Sequence, residues 1–188
     1  MTSHPRTDAI SLAGNPTSNA EFSGIAPSGM KSLITIDGQP AVRYVIGGLK
    51  SCRNIADVTV IGDDATRVAV PDANRFVHTT GNEARDISAA VESSDADRCL
   101  ILAGDIVLMS GDSVADLLSG APDADIVYPI VEKTDMERFL PGRSAGYLNT
   151  RQGRVTGSSI LLFRTEAARN RPDLIAGLLD VRRNPSAM

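Results

Sequence analysis

Residues 98–105, which read RCLILAGD, decide the fold class of this chain. The apolar run at 99–102 shows no alternation of apolar and polar side chains, which is typical of a strand buried on both faces. Gly104 and Asp105 then end the run, because both residue types favour turns. A strand of this kind needs helices on both sides of its sheet, so the segment predicts the parallel sheet of an α/β protein.

The rest of the chain alternates predicted strands with predicted helices. Strands are predicted at 8–12, 57–61, 75–78, 125–130 and 160–163, and helices at 41–51, 82–93, 113–118, 165–170 and 173–182. A Gly-, Ser- and Pro-rich loop at 15–30 leads into an extended run at 31–36, whereas 132–142 is polar and irregular. Residues 145–149 and 154–156 are predicted to pair as an antiparallel hairpin. This order favours a three-layer, Rossmann-like sandwich with a mostly parallel central sheet.

Length and composition bound the organisation and the partners. The 188 residues suit a single domain, predicted at 8–188 after a loose leader at 1–7, with truncation at the carboxyl terminus left open. A net charge of −4 argues against nucleic-acid binding, which needs clustered Lys and Arg. No apolar stretch approaches the roughly 20 residues of a membrane span. The two cysteines form no metal-type or redox-type pair, which favours reduced thiols and a cytoplasmic location.

Three candidate binding positions lie at or near predicted strand ends, where open α/β sheets bind ligands. The small residues of Leu12-Ala13-Gly14 let backbone N–H groups approach phosphate oxygens, although an ordinary Gly turn is an equally good interpretation. Lys31 follows the long loop and either reaches a triphosphate as a point charge or lies in solvent, as most lysines do. Asp105 is well placed to hold Mg²⁺. We favour that role over a cap or turn residue, because the preceding strand is so apolar and Gly104 adds no bulk.

The order of these motifs resembles that of the nucleotidyltransferases, and in particular of the MobA-like NTP transferases, the branch that includes molybdenum cofactor guanylyltransferase. The likeness extends over about residues 8–166. The segments that carry it are LAG at 12–14, KSL at 31–33, GQP at 38–40, LAGD at 102–105, ADIVYP at 124–129 and GRVTGSS at 153–159.

The resemblance implies a fold of the nucleotide-diphospho-sugar transferase type and a specific reaction. A nucleoside triphosphate (GTP or CTP) is coupled to a phosphorylated small molecule, and pyrophosphate is released. Leu12, Ala13 and Gly14 would flank the base and ribose, Lys31 would touch the triphosphate, and Asp105 would bind Mg²⁺. A homodimer is left open.

A second nucleotide-binding element is implied at residues 81–88, GNEARDIS. It resembles the G-G-x-x-R-x-x-S element with which cytidylyltransferases for methylerythritol phosphate read the base, and Gly81, Arg85 and Ser88 match that pattern. Asn82 replaces the second glycine. An N-capped helix is the rival interpretation of the same residues.

The chain departs from the family pattern in its first loop and near its end. The family loop reads L-A-G-G-x-x-x-R-M-G…K, but here Asn15 replaces the second glycine and no arginine lies between Arg6 and Arg43. That arginine stabilises charge on the transferring phosphate, so a nucleotide-binding or regulatory domain without turnover is the alternative function. A second metal carboxylate, expected in a late D-V-D-x-P strand, has no match at Asp180-Val181.

Other candidate residues favour structural roles. Asp123-Ala124-Asp125 has the letters of the metal motif of nucleotide-sugar glycosyltransferases, but it precedes a predicted strand instead of following one, so that function ranks last. Asp63-Asp64 is typical of a solvated turn. The histidines have no Ser or Cys partner in a triad pattern. Arginines 138, 143 and 151 either clamp an acceptor phosphate or lie in solvent.

Overall fold

The computed structural model describes residues 5–14, 22, 24–142, 146–151 and 153–183. Its strands are β1 (Thr7–Leu12), β2 (Thr35–Ile36), β3 (Gln39–Pro40), β4 (Ile55–Gly62), β5 (Arg75–His78), β6 (Arg98–Ala103), β7 (Ile126–Val127), β8 (Ile130–Glu132), β9 (Leu148–Thr150), β10 (Gly153–Gly157) and β11 (Ile160–Arg164). Its α-helices are α1 (Ala41–Ser51), α2 (Asp64–Ala69), α3 (Glu83–Glu92), α4 (Gly111–Gly120), α5 (Lys133–Phe139), α6 (Thr165–Asn170) and α7 (Pro172–Arg183). No helix of the described residues has the length and apolar character of a membrane span.

The central sheet has the strand order β5-β4-β1-β6-β11-β7. Strands β5, β4, β1 and β6 run parallel, and β11 is antiparallel to both of its neighbours. This arrangement confirms the predicted α/β fold with a mostly parallel central sheet. The chain runs from β1 outward through β4 to β5 and then returns to β6 on the other side of β1. The strand order therefore reverses between β1 and β6.

Helices cover both faces of this sheet, so the fold has the three predicted layers. Alternate residues of β6 explain its unbroken apolar run: Leu100 and Leu102 pack under α1 and α4, whereas Cys99 and Ile101 pack under α3, α6 and α7. Each of the four is at most 2% exposed. Both faces of β6 pack into a hydrophobic core, so neither face accommodates polar side chains. The sequence of β6 therefore shows no alternation of apolar and polar residues.

The structure confirms most of the predicted elements and moves some bounds. Helix α1 and strand β5 have the predicted limits, and α3, β6, β11, α6 and the β9–β10 pair lie where they were predicted. Thr7, assigned to the leader, is the first residue of β1 and is 2% exposed. Ala145 and Gln152 of the predicted hairpin lie outside the described residues.

The extended run predicted at 31–36 is wrong over its first half. Residues Lys31–Leu33 form a 3-10 turn, and only Thr35–Ile36 is extended. The turn places Met30 and Leu33 in the core, each 7% exposed, because a spacing of three residues returns to the same side of a 3-10 helix.

Two predictions in the second half of the chain are also wrong. The strand predicted at 125–130 is divided, because Pro129 has no N–H for a ladder: β7 joins the central sheet and β8 joins a small sheet of order β8-β10-β9. The segment predicted to be irregular contains α5, which buries none of its residues and therefore shows no apolar periodicity. An ion pair between Lys133 and Glu137, 3.0 Å apart, lies on its surface.

Helix α2 was missed, although its start carries a signal. The Asp63 carboxylate accepts a hydrogen bond from the Thr66 N–H at 2.8 Å, and this bond lowers the pKa of Asp63. An Asp at a helix start that bonds the third residue onward is the usual N-cap geometry. The first acidic residue of the Asp63-Asp64 turn is therefore a cap.

A partly buried ionic network lies at the amino-terminal end of the sheet. The Asp8 carboxylate is 1% exposed and lies 3.1 Å from the Arg75 guanidinium, which also lies 2.8 Å from Asp57. The Ser94 hydroxyl donates to Asp8 at 2.7 Å. Each carboxylate pairs with the Arg75 guanidinium, so the network stabilises this end of the sheet.

The central strand β6 gives a direct test of this packing. Replacing Leu100, which is 0% exposed, by Ala is expected to lower the free energy of unfolding by about 2–5 kcal/mol, because the cavity refills only in part. Urea denaturation followed by circular dichroism measures it. Val68→Ala in α2, where Val68 is 82% exposed, is the control and is expected to change stability by less than about 0.5 kcal/mol. Equal losses in the two variants would contradict the burial of Leu100 in the core under α1 and α4.

Candidate functional site

A cleft opens where β1 and β6, the two strands at the reversal of strand order, reach their carboxyl ends. Leu12 and Ala103 pair in register there. Ligands of open α/β sheets bind at such a reversal. The connections that follow the two strands run in opposite directions along the sheet, so the carboxyl ends of the strands stay uncovered. The cleft is lined by Leu12, Ala13, Lys31, Ser32, Glu83, Ala103 and Asp105.

Lys31 and Asp105 meet inside this cleft. The Lys31 Nζ lies 2.9 Å from the Asp105 Oδ2, and the two side chains are 41% and 28% exposed. Lys31 also lies over the ring of Phe22, with 5.8 Å between the Nζ and the ring centroid. The structure therefore brings together the two residues that sequence analysis selected for the triphosphate and the metal, although nothing in this contact assigns either role.

Lys31 is positioned by a residue that sequence analysis missed. The hydroxyl of Ser32, 5% exposed, donates to the Ala13 carbonyl oxygen at 2.7 Å and so fastens the 3-10 turn to the end of β1. The N–H of Ala41 donates to the Ile34 carbonyl at 2.9 Å, which anchors the segment after the turn to the start of α1. A serine beside a lysine carries no sequence signal for this contact, because its partner lies at the end of another strand.

Asp105 depends on a close approach of two strand ends. The Gly104 N–H donates to the Leu12 carbonyl at 2.8 Å. A Cβ on Gly104 would lie 2.9 Å from the Ala13 Cβ and 3.0 Å from the Leu12 oxygen, both closer than ordinary contacts. Glycine therefore allows β1 and β6 to meet here, and the meeting fixes where Asp105 leaves the sheet.

The end of β1 narrows the predicted phosphate contacts of its backbone. The Ala13 N–H donates to the Ile61 carbonyl at 2.8 Å, so the sheet uses this amide and it does not point at a ligand. Small residues are also needed here for packing. A Cβ on Gly14 would lie 3.0 Å from both the Gly62 Cα and the Thr79 Cβ. Leu12 and Ala13 line the cleft, and Gly14 packs behind it.

The second predicted element is an N-capped helix. Asn82 Oδ1 accepts from the Arg85 N–H at 3.1 Å, and Gly81 precedes it with a φ of +81° that favours glycine. Ser88 donates to the Ala84 carbonyl of its own helix at 2.9 Å. Gly81, Arg85 and Ser88 do not line the cleft, so their role in base recognition stays a prediction. Glu83, the first residue of α3 and 8% exposed, lines the cleft in their place, and sequence analysis missed it.

The donor set at this site fits one kind of metal. Within the described segments, no group of three or more His, Cys, Asp or Glu side chains is close enough to form a protein-only metal site. Mg²⁺ commonly binds through one or two carboxylates with substrate phosphates and waters as the remaining ligands. Asp105, at the mouth of a partly exposed cleft, supplies one such carboxylate.

Other candidates from the sequence have structural partners. Arg164 lies 2.8 Å from Asp123 and 3.0 Å from Asp125, an arrangement that disfavours the D-x-D metal interpretation. Burial raises the pKa of the Cys99 thiol, which makes it a poor nucleophile.

Of the candidate phosphate-clamping arginines, the two that the structure describes, Arg138 and Arg151, do not line the cleft. Arg138 lies over the ring of Phe139, with 5.2 Å between the guanidinium carbon and the ring centroid. Arg143 is outside the described residues, and Arg151 does not line the cleft. Their proposed role therefore remains a prediction.

Comparison with known proteins gives one family and one fold. The sequence model of the MobA-like NTP transferase domain matches residues 24–174. No curated protein sequence matches the chain significantly. Among solved structures, a hypothetical transferase from Thermus thermophilus superposes with a TM-score of 0.80 at 29% identity, over 97% of this chain and 75% of that one.

Two further structures share the fold at low identity. A CMP:2-keto-3-deoxy-manno-octonic acid synthetase complexed with CTP superposes with a TM-score of 0.66 at 16% identity, over 97% of this chain and 86% of that one. A 4-diphosphocytidyl-2C-methyl-D-erythritol synthase from Anaerococcus prevotii superposes with a TM-score of 0.65 at 9% identity, over 93% and 76%.

The contact between the two strand ends can be tested through Gly104. Gly104→Ala is expected to lower the free energy of unfolding by about 1–3 kcal/mol, because the added methyl forces the tips of β1 and β6 apart. Differential scanning calorimetry measures the change. Gly47→Ala is the matched control: a Cβ there meets nothing within 4 Å, and the helical position predicts a gain of about 0.5–1 kcal/mol. A neutral Gly104→Ala variant would show that the strand ends can separate at no cost.

Proposed function

The chain belongs to the MobA-like NTP transferase family, and we propose that it couples a nucleoside triphosphate to a phosphorylated small molecule with release of pyrophosphate. The observation that carries this proposal is the 2.9 Å contact between Lys31 and Asp105 in a cleft at the reversal of strand order. A cation and a carboxylate side by side suit a ligand that brings negative phosphates and a divalent cation together.

The proposed reaction needs no side-chain nucleophile. An oxygen of the acceptor phosphate attacks the α-phosphorus in line, a new P–O bond forms, and the bond to the β-phosphate oxygen breaks as pyrophosphate leaves. Mg²⁺, when bound, neutralises phosphate charge and favours the departing pyrophosphate. The protein supplies positioning and charge, since Lys31 offsets negative charge on the phosphates and Asp105 would hold Mg²⁺.

The ion pair implies an exchange of partners when substrate binds. Without substrate, Lys31 neutralises Asp105 directly. The triphosphate offers Lys31 a stronger anion, so the lysine moves from the carboxylate to phosphate oxygens. The Asp105 carboxylate would then be free to hold Mg²⁺. Both side chains are partly exposed, so this exchange leaves no buried, unpaired charge.

The missing arginine supports a second candidate function. No arginine lies between Arg6 and Arg43, and loss of a transition-state cation typically costs about 10²-fold or more in rate. A domain that binds nucleotide without turnover fits this departure. Release of pyrophosphate separates the two candidates, when it is measured with GTP and with CTP across a panel of sugar phosphates and cofactor precursors. Turnover of one pair supports the transferase, and binding without turnover throughout supports the binding domain.

The role of Asp105 is tested by substitution. Asp105→Ala is expected to abolish the Mg²⁺ dependence of nucleotide binding and to lower pyrophosphate release by about 10²-fold or more, because the metal loses its protein ligand. Isothermal titration of GTP and CTP with and without Mg²⁺ measures the first effect. Asp116→Ala removes an exposed carboxylate from α4 and is the control. Equal, metal-independent binding by wild type and Asp105→Ala would refute the assignment.

Lys31→Met tests the exchange of partners. The variant is expected to bind GTP or CTP about 10–100-fold more weakly, since a charge-assisted contact with phosphate is lost. It is expected to bind Mn²⁺ alone more tightly than wild type does, because Asp105 is no longer neutralised. Electron paramagnetic resonance of free Mn²⁺ reports the second effect. Lys50→Met in α1 serves as the matched control, and unchanged Mn²⁺ affinity in Lys31→Met would contradict the exchange.

A further inference from the structure

Helix α1 is fastened at its start to the segment that carries Lys31. The N–H of Ala41, its first residue, donates to the Ile34 carbonyl at 2.9 Å, and Ile34 directly follows the 3-10 turn that begins with Lys31. One turn further along the helix, the Tyr44 hydroxyl donates to the Ile36 carbonyl at 2.7 Å. A displacement of α1 would therefore act on the Lys31 segment through two hydrogen bonds.

The last turn of α1 lies directly against the backbone of another segment, at Gly48. A Cβ on Gly48 would lie 3.3 Å from the Met109 carbonyl carbon and closer still to the carbonyl oxygen. Both are backbone atoms, so neither can rotate out of the way as the end of a side chain can. Gly47, the preceding residue of the helix, meets nothing within 4 Å when a Cβ is added. Of these two neighbouring glycines, only Gly48 is required by a close approach.

Met109 ends a loop that begins with Asp105, defined here as residues 105–109. Within this loop, the Val107 N–H donates to the Asp105 carbonyl at 3.1 Å, and the Met109 N–H donates to the Ile106 carbonyl at 3.2 Å. The side chains of Ile106 and Met109 pack against the core under α1 and α4. Because the loop is short and internally hydrogen-bonded, a shift of the Met109 carbonyl is transmitted to Asp105.

A second glycine brings the chain after this loop against α1. A Cβ on Gly111, the first residue of α4, would lie 2.8 Å from the Ser51 carbonyl carbon and 2.9 Å from the Cys52 nitrogen. The backbone of residues 109–111 therefore follows the end of α1 closely. Gly104 sets where the loop leaves β6, and the contacts with α1 set where it ends.

We infer that Gly48 is a positioning residue, which sets the spacing between Lys31 and Asp105 by letting α1 lie directly against the loop at 105–109. The inference rests on the proposed function. Gly48 itself does not line the cleft. A side chain at this position pushes either the loop, and with it Asp105, or α1, and with it the Lys31 segment. Because 2.9 Å is close to the best distance for a charge-assisted hydrogen bond, a change in either direction weakens the pair.

Lysine labelling tests the spacing without any ligand. Gly48→Ala is expected to raise the rate at which acetic anhydride modifies Lys31 by about two- to fivefold, because Asp105 no longer holds the amine; this factor corresponds to the loss of a partly exposed ion pair. Mass spectrometry of peptides measures the rate at each lysine. Lys133, which lies 3.0 Å from Glu137 on the surface of α5, is the internal reference.

Gly47→Ala is the matched control for this labelling. It adds the same methyl group to the neighbouring residue of the same helix, where the methyl meets nothing within 4 Å. The Lys31 rate of Gly47→Ala is therefore expected to equal that of wild type. Equal Lys31 rates in Gly48→Ala and Gly47→Ala would overturn the inference.

The response of nucleotide binding to Mg²⁺ gives the functional readout. Isothermal titration measures the Kd for GTP or CTP, whichever wild type binds more tightly, with Mg²⁺ and with excess EDTA. Gly48→Ala is expected to lower the ratio of the Kd in EDTA to the Kd in Mg²⁺ by about threefold or more, because the lysine and the carboxylate no longer have the spacing that phosphate and metal require together. A merely structural effect of the methyl group would lower Tm and leave this ratio equal to that of Gly47→Ala, which would also overturn the inference.

A second variant keeps the test decisive if Gly48→Ala folds poorly. Met109→Ala removes the side chain that anchors the end of the loop in the core and leaves Gly48 in place. It is expected to raise the Lys31 labelling rate in the same direction, since the loop is then held less firmly against α1. An unchanged Lys31 rate in Met109→Ala would overturn the inference.

Failure of the inference and failure of the proposed function give different results. A wild-type protein whose nucleotide binding is absent or independent of Mg²⁺ would overturn the proposed function. A wild-type protein with Mg²⁺-dependent nucleotide binding, whose Gly48→Ala variant matches Gly47→Ala in labelling or in the ratio of dissociation constants, would overturn the inference alone.

Discussion

The site depends on how closely the carboxyl ends of β1 and β6 approach one another. The Gly104 N–H reaches the Leu12 carbonyl at 2.8 Å, and a side chain at Gly104 would collide with Ala13. This contact holds the two strands in register up to the point where they stop. Asp105 leaves one strand end there, and the Ala13 carbonyl at the other end accepts from Ser32 and so seats the turn that carries Lys31.

The two ends of the sheet use charge in different ways. At the amino-terminal end, Asp8 is 1% exposed and shares Arg75 with Asp57, so the carboxylate has fixed partners that it cannot exchange without a large cost. At the carboxyl end, Lys31 and Asp105 are 41% and 28% exposed. Water screens this pair, and its partners can exchange at low cost. The stabilising ionic network and the candidate binding cleft therefore lie at opposite ends of the strands of one sheet.

Sequence reasoning succeeded where one physical signal dominated. The unbroken apolar run of β6 and the helical spacing in α1 each follow from burial, which the local sequence records directly. It failed where burial was weak or absent. Helix α5 buries no residue, and Lys31–Leu33 form a 3-10 turn in a stretch whose apolar residues also suit a strand. Short elements give too few residues for a period to be recognised.

The sequence by itself determined the fold class, the order of most strands and helices, and the choice of Lys31 and Asp105 as candidates, because these follow from local apolar patterns and from residues at strand ends. Only the tertiary structure decided that their side chains lie 2.9 Å apart, that Ser32 and Glu83 share the cleft, and that the sheet uses the Ala13 amide. The physical reason is that each of these contacts joins segments far apart along the chain, and no local pattern encodes a partner on another strand.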